Sequence, residues 1–265
     1  MLTVDDAWRR LEPGLAPLPA VRVARRAALG GVLAESIQAR ADLPPANVSA
    51  LDGFAFSGDL PAGATLPVAF TVAAGDAPGA RLAPGAAARV MTGAPVPEGA
   101  DRVVAVEATV AAADRFRLLG AAPPFGAAIR RRAEVIAAGA PLLSAGARLG
   151  PGALALLASQ GVETVAVHRA PRVAVLATGD EVVPPEQSPG PGCLRDSHTD
   201  YLLAAGARLG LRFDSLGIAP DDPERLVERV AAGLDHDLLL TCGGVSAGGF
   251  DHLGGGFARL GCATL

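Results

Sequence analysis

The chain has 265 residues, enough for one or two domains with substantial cores, and half of them are apolar against 19% charged, a globular composition. A net charge of −4 excludes the broad basic surface of a non-specific nucleic-acid binder, and the cations are all arginine, since no lysine occurs. The opening Met1-Leu2-Thr3-Val4-Asp5-Asp6 is acidic and no apolar run approaches the roughly 18–20 residues that span a bilayer, so neither export nor membrane insertion is expected and the cytoplasm is the expected location.

In chain order, Thr3 stands three positions before Asp6, a capping-box-like start for a short helix over residues 3–12 that ends near Pro13-Gly14. From Pro44-Pro45 to about residue 135, short apolar runs alternate with Gly and Pro. Strands of a small β-rich module are predicted at residues 54–56, 68–73, 87–91 and 102–106. Pro151-Gly152 opens a helix over 153–160, closed by Gly161, and 163–168 is predicted as a strand. After Pro171 the pattern changes to strand 172–177, helix 199–209, strand 211–218, helix 223–234 and strand 237–241, followed by a helix near 252–260. Such alternation means βαβ units and a parallel sheet covered on both faces. The expected architecture is a multidomain α/β chain. Residues 1–43 and 136–169 form a small discontinuous α/β domain, 44–135 an inserted β-rich domain, and 170–265 an αβα sheet domain.

In open parallel sheets ligands bind beyond the carboxyl ends of the strands. Thr178-Gly179-Asp180-Glu181 and Gly243-Gly244-Val245-Ser246-Ala247-Gly248-Gly249 follow directly on two such ends. The second is a side-chain-poor loop whose N–H groups can approach a phosphate or a flat heterocycle, though it also fits an ordinary glycine-rich turn. Asp180, Glu181, Asp221, Asp222 and Asp251 gather carboxylates on the same edge, where an anionic ligand would be repelled by about 1 kcal/mol per pair at 4 Å even in water. A divalent cation such as Mg²⁺, which takes one or two carboxylates together with phosphates and water, resolves the conflict. Asp251 and Glu181 are the expected pair, with Asp221 next. Asp222-Pro223 also fits a helix N-cap, and Asp180 a turn cap. In the β-rich part, Ser49-Ala50-Leu51-Asp52-Gly53-Phe54 puts an acid in a tight turn and Met91-Thr92-Gly93-Ala94-Pro95-Val96-Pro97 puts a hydroxyl at a strand end. Each taken alone also fits plain turn chemistry. Three widely spaced cysteines and four unpaired histidines fit neither a disulfide framework nor a zinc knuckle.

Taken together and in order, five stretches resemble the molybdopterin molybdenumtransferase family, the bacterial MoeA proteins and the E domain of gephyrin. They are residues 44–53 (Pro-Pro-Ala-Asn-Val-Ser-Ala-Leu-Asp-Gly), 89–97 (Arg-Val-Met-Thr-Gly-Ala-Pro-Val-Pro), 176–181 (Leu-Ala-Thr-Gly-Asp-Glu), 220–223 (Pro-Asp-Asp-Pro) and 243–251 (Gly-Gly-Val-Ser-Ala-Gly-Gly-Phe-Asp). The resemblance implies a cytoplasmic homodimer in which adenylylated molybdopterin meets molybdate, molybdenum enters the dithiolene and AMP leaves, with molybdopterin adenylyltransferase or molybdoenzymes as further partners. It implies functional roles for Asp52, Thr92, Glu181, Asp221 and Asp251. The cofactor would be held by Thr178, Gly179, Asp180, Gly243, Gly244, Val245, Ser246 and Gly248, and Mg²⁺ by Asp251 and Glu181. It further implies that the β-rich module of one subunit faces the sheet domain of the other.

The departures also matter. Where the family has Gly-Glu-Asp after an arginine run, this chain has Ala133-Glu134-Val135, and His198 stands where Asn is usual. Family members continue past the position of Leu265 through a Lys-Pro-Gly segment and a further β domain. The sheet domain is therefore expected to be incomplete and molybdenum insertion poor. The alternative expectation is a non-catalytic paralogue that binds molybdopterin or acts as a scaffold. A bare adenylyltransferase-type sheet domain would lack the Ser-Ala-Leu-Asp-Gly and Thr-Gly-Ala-Pro loops.

Overall fold

The computed structural model describes residues 3–244 and 252–263. Its main elements in chain order are α1 (Val4–Leu11), β1 (Ala20–Ala24), β2 (Val32–Leu33), β3 (Gly53–Phe56), β4 (Thr65–Val72), β5 (Ala87–Val90), β6 (Arg102–Ala105), β7 (Thr109–Ala111), β8 (Arg115–Leu118), α2 (Pro151–Ser159), β9 (Thr164–His168), β10 (Val173–Thr178), α3 (His198–Arg208), β11 (Phe213–Ala219), α4 (Pro223–Gly233), β12 (Leu238–Cys242) and α5 (Leu253–Arg259). The strands and helices expected from the sequence are present, with ends displaced by a few residues. The chain forms two compact units, one of Met1–Ala34, Gly146–Leu154 and Glu163–Leu265, the other of Glu35–Ala145 and Ala155–Val162. These divide the chain at other places than the three-part organisation expected above.

In the first unit, the capping box is formed. Thr3 Oγ1 accepts from the Asp6 amide at 3.1 Å and the Thr3 amide donates to Asp6 Oδ2 at 3.3 Å. β9 lies between β1 and β2, antiparallel to both, so residues 164–168 return to pair with the start of the chain. The functional sheet has the order β11-β10-β12 and is fully parallel. Every residue of β10, Val-Ala-Val-Leu-Ala-Thr, is buried, as a continuous apolar run in the middle of a parallel sheet requires. Leu176 of β10 packs with Ala219, with Leu226 and Val230 of α4, and with Leu253 of α5. At the opposite end of the sheet Asp237 receives both terminal nitrogens of Arg169, at 2.5 and 2.6 Å, and the Arg172 amide at 2.7 Å. This clamp ties the start of β10 to the start of β12.

The second unit is built on a six-stranded sheet of order β6-β3-β5-β4-β8-β7, in which only β4 and β5 run parallel. Phe54 stacks on Phe116 with ring centroids 4.5 Å apart, and Phe56, Leu66 and Leu118 close the core around them. Gly53 departs from the expected tight turn. It begins β3, has no left-handed backbone, and a Cβ there would lie 1.9 Å from the Val104 carbonyl oxygen. The glycine is required because β6 approaches its backbone directly. Buried Arg102 is held by Asp101 and Asp59, each at 2.6 Å, and donates to the Pro123 carbonyl at 2.8 Å.

Ala133 has φ +61°, in the left-handed region where Cβ crowds the following carbonyl at about 1–2 kcal/mol. Relief of this strain outweighs the extra chain entropy of glycine, so Ala133→Gly should raise stability by about 0.5–1 kcal/mol in urea unfolding. A lower midpoint would show that Ala133 is not strained.

The two Arg169 hydrogen bonds and the Arg172 amide hold the Asp237 carboxyl well below the usual carboxylate range. Its folded pKa lies below the unfolded value, so its stabilisation is present above about pH 4 and is lost as pH falls through the folded value. Asp237→Asn should therefore lower the urea midpoint at neutral pH and flatten the loss of stability below pH 4. Parallel pH profiles for variant and parent would refute this role.

Candidate functional site

Two loci carry the residues singled out from the sequence. In the second unit, Asp52 and Thr92 are forty positions apart and are joined directly. Asp52 Oδ1 accepts from the Thr92 amide at 2.7 Å and from the Thr92 hydroxyl at 2.8 Å. The surrounding backbone fixes this meeting. The Gly93 amide donates to Ser49 O, the Ser49 amide to Ala94 O, and the Val96 amide to Asn47 O. Gly93 adopts φ +81°, which turns the chain after Thr92. The Thr92 amide and hydroxyl, with the charge of Arg89, hold Asp52 below the ordinary carboxylate range. Asp52 is thus an exposed carboxylate with one oxygen engaged and the other available to water, a cation or an N–H donor. Beside it lies a groove of about 410 Å³ lined by Pro44, Pro45, Val48, Gly93 and Pro95.

In the first unit, the carboxyl ends of β10, β11 and β12 meet. Thr178 is buried and its hydroxyl donates to the Cys242 carbonyl at 3.3 Å. Gly243 and Gly244 follow β12 with positive φ and lie against this threonine. A Cβ on Gly243 would come within 2.9 Å of Thr178 Oγ1, and one on Gly244 within 2.6 Å of Leu253 Cδ1. Gly179 is also positive in φ, and the Glu181 carboxylate folds over it, 2.5 Å from where a Cβ would stand. The next two acids clasp each other's loops. The Asp180 amide donates to Asp221 Oδ2 at 3.3 Å, and the Asp221 amide to Asp180 Oδ1 at 3.0 Å. Asp222 is a helix cap, accepting from the Glu224 and Arg225 amides at 3.1 and 2.9 Å.

An open cleft of about 720 Å³ adjoins this edge, with Gly179, Asp180, Asp196, Thr199, Asp200 and Arg225 among its walls, a volume within the range of small-molecule sites. Asp196, Asp200 and Arg225 were not among the residues expected from the sequence. Asp196 is buried and accepts from the His198 and Thr199 amides, both at 3.1 Å, so it caps α3 while facing the cleft. Its position three residues ahead of the helix predicted over 199–209 is the signal that could have marked it. Among the described residues no group of three or more His, Cys, Asp or Glu side chains is arranged to hold a metal ion. Val245, Ser246, Gly248 and Asp251 lie outside the described residues.

Residues 2–161 match the family model described as MoeA N-terminal region (domain I and II), and residues 174–264 match a probable molybdopterin binding domain. The chain belongs to the MoeA family. Molybdopterin molybdenumtransferases of Staphylococcus epidermidis and Staphylococcus aureus are each 33% identical to it, over 259 and 261 residues, or 95% of this chain. Two solved structures of the molybdopterin biosynthesis MoeA protein from Pyrococcus horikoshii are similar in fold. One has a TM-score of 0.77 at 28% identity, covering 98% of this chain and 67% of that one. The other has 0.79 at 25% identity, covering 91% and 66%. This MoeA-family chain spans 62% of the length of the curated relatives it matches.

Since the Thr92 hydroxyl is one of the donors that favour ionised Asp52, Thr92→Val should move the Asp52 titration upward, while Thr92→Ser should leave it in place. Carboxyl NMR titration reads both, and an unmoved Asp52 in the valine variant would show that the backbone amide alone sets its acidity.

Proposed function

We propose that the chain acts in molybdenum cofactor biosynthesis as a molybdopterin molybdenumtransferase, inserting molybdate-derived molybdenum into adenylylated molybdopterin with release of AMP. The observation that carries this reading is the carboxyl edge of the parallel sheet. There, Thr178, Gly179, Gly243 and Gly244 bring bare backbone together beside Asp180, Glu181 and Asp221. The family relationship supports it. Backbone free of side chains accommodates a phosphate or the flat face of a pterin. The donor set is of hard oxygen, which fits Mg²⁺, and Glu181, with Asp251, would hold the ion. Bound Mg²⁺ would supply charge neutralisation at the phosphoanhydride. Asp221, fixed by the Asp180 amide, offers its remaining oxygen to orient water, and Asp52 with Thr92 offers a preorganised carboxylate for the molybdate or dithiolene end.

The reading includes a cytoplasmic homodimer in which the β-rich module of one subunit faces the sheet domain of the other. It includes the division into a discontinuous first domain, an inserted β-rich domain and a sheet domain. Exchange of the pterin with a molybdopterin adenylyltransferase and with molybdoenzymes completes it. Among the described residues no helix is long and apolar enough to cross a membrane.

A second reading, a scaffold that binds molybdopterin without turnover, is favoured by one observation: Val135, where the family carries an acid, is 53% exposed and offers no charge. The two readings separate in a purified assay with adenylylated molybdopterin, Mg²⁺ and molybdate. AMP release dependent on molybdate, reduced about 100-fold by Glu181→Gln with pterin binding retained, is the expected result. Binding without AMP release would favour the scaffold, and failure of both would overturn the assignment.

A further inference from the structure

The cleft beside the carboxyl edge has acidic walls and a single base. Asp180, Glu186, Asp196 and Asp200 line it, and Arg225 is the one cation among its described lining residues. Since the chain has no lysine, arginine has to supply any ammonium-like or guanidinium charge that meets an anion here. Other arginines of this unit are committed elsewhere. Arg169 is held by Asp237, Arg195 donates to the Pro185 carbonyl at 3.0 Å, and Arg259 donates to Glu224 at 3.1 and 3.3 Å. That last pair also engages the acid next to Arg225 in sequence. The Arg225 guanidinium has no hydrogen bond or ion pair among the described residues, and only its amide is engaged, with Asp222 Oδ1. The fold brings this free group to the cleft. β11 is the edge strand of its sheet among the described residues, and its pairing with β10 slips between Ser215 and Ile218, where Gly217 adopts φ +78°. A bulge of this kind turns an edge strand out of its ladder. The Leu216 carbonyl accepts from Arg229 Nη1 at 3.2 Å, which ties α4 to the bulge. Arg225 stands one turn before Arg229 on the same face of α4, and it lines the cleft with Ser215, Gly217 and Ile218. Half-buried Val182, Leu203 and Ile218 supply apolar wall.

We propose that the cleft takes a ring bearing a phosphate, with the ring against Val182, Leu203 and Ile218 and the phosphate on the Arg225 guanidinium. A guanidinium presents a planar fork of N–H donors that matches two phosphate oxygens. Carboxylates on the walls repel a phosphate, and a positive group on the same cleft offsets that repulsion. Arg225 therefore selects for the phosphorylated form of whatever ring the apolar wall accepts. The inference rests on the function proposed above and adds a binding residue to its site. Breaking the phosphoanhydride of adenylylated molybdopterin leaves one phosphate on the nucleotide and one on the pterin, and either fits the same fork.

Calorimetry in saturating Mg²⁺ tests this with AMP, molybdopterin and adenosine as ligands. The proteins are the parent, Arg225→Gln, and Arg208→Gln as a control that removes the same charge from a residue outside the cleft walls. Arg225→Gln keeps the amide that Asp222 accepts from, so the start of α4 is preserved. It should weaken AMP, molybdopterin or both by about tenfold or more, the loss expected for a charge-assisted pair, while Arg208→Gln binds like the parent. Adenosine lacks the phosphate, and any affinity it has should be the same for Arg225→Gln and the parent. The ligand that loses affinity identifies the phosphate as the nucleotide's or the pterin's. Equal affinity of Arg225→Gln and the parent for both phosphorylated ligands would overturn Arg225 and leave the proposed function standing. A matching loss for adenosine, or in Arg208→Gln, would do the same. A parent that binds neither AMP nor molybdopterin would overturn the function together with this residue.

Discussion

The sheet domain depends on how closely three backbones approach one another where β10, β11 and β12 end. The Thr178 hydroxyl reaches the Cys242 carbonyl, and the two residues after Cys242 must be glycine because a Cβ at either would enter the space of Thr178 or Leu253. The Gly179 amide in turn donates to the Ala219 carbonyl at 3.1 Å, so the loops after β10 and β11 leave the sheet together. From this one constraint follow the bare backbone at the carboxyl edge and the direction in which Glu181 folds. It also brings Asp180 within reach of Asp221. Core residues such as Leu176 and Val230 secure the sheet beneath it but do not set this geometry.

The acids divide by what their oxygens are doing. Asp222 and Asp196 accept from the amides that open α4 and α3, and their first task is to satisfy donors that a helix leaves unpaired. Asp180 and Asp221 each give one oxygen to the other's amide, which joins two loops and leaves one oxygen apiece. Asp52 is similar, with Oδ1 spent on Thr92. A carboxylate fixed through one oxygen presents the other in a defined direction at little further entropic cost, which is what a binding or catalytic group requires. A site built this way tolerates several acids nearby because backbone N–H dipoles offset part of their repulsion.

Much of this could be read from the sequence because it follows from local pattern. The capping box at Thr3 and Asp6, the apolar run of β10, the helix-opening Asp222-Pro223 and the β-rich stretch between residues 44 and 135 are all periodicity or terminus signals. Asp52, Thr92, Thr178, Gly179, Asp180 and Asp221 stand in motifs whose order along the chain is itself legible. Their pairing is not, because nothing local links Asp52 to Thr92 or Asp180 to Asp221 across about forty residues. Gly53 was misread for the same reason. Asp-Gly is a turn signal in isolation, and only the position of the Val104 carbonyl shows that the glycine serves a strand. Asp196 was overlooked because a cap two residues ahead of a helix is commonplace, and only the cleft beside it raises its interest.

The segment Ala133-Glu134-Val135 departs from the family in two physically distinct ways. Ala133 holds a left-handed backbone that glycine would adopt freely, so the turn stands against a local cost. The Ala133 amide donates to Pro44 O and the Val135 amide to Leu43 O, so the turn is fixed by its attachment to the Pro-Pro segment and not by its own preference. Val135 instead displays an exposed apolar side chain beside this turn, at the position where the resemblance implies an acid. Loss of the acid therefore does not require loss of the surrounding geometry. Asp52, with Thr92 and Arg89 setting its acidity, remains organised independently of it.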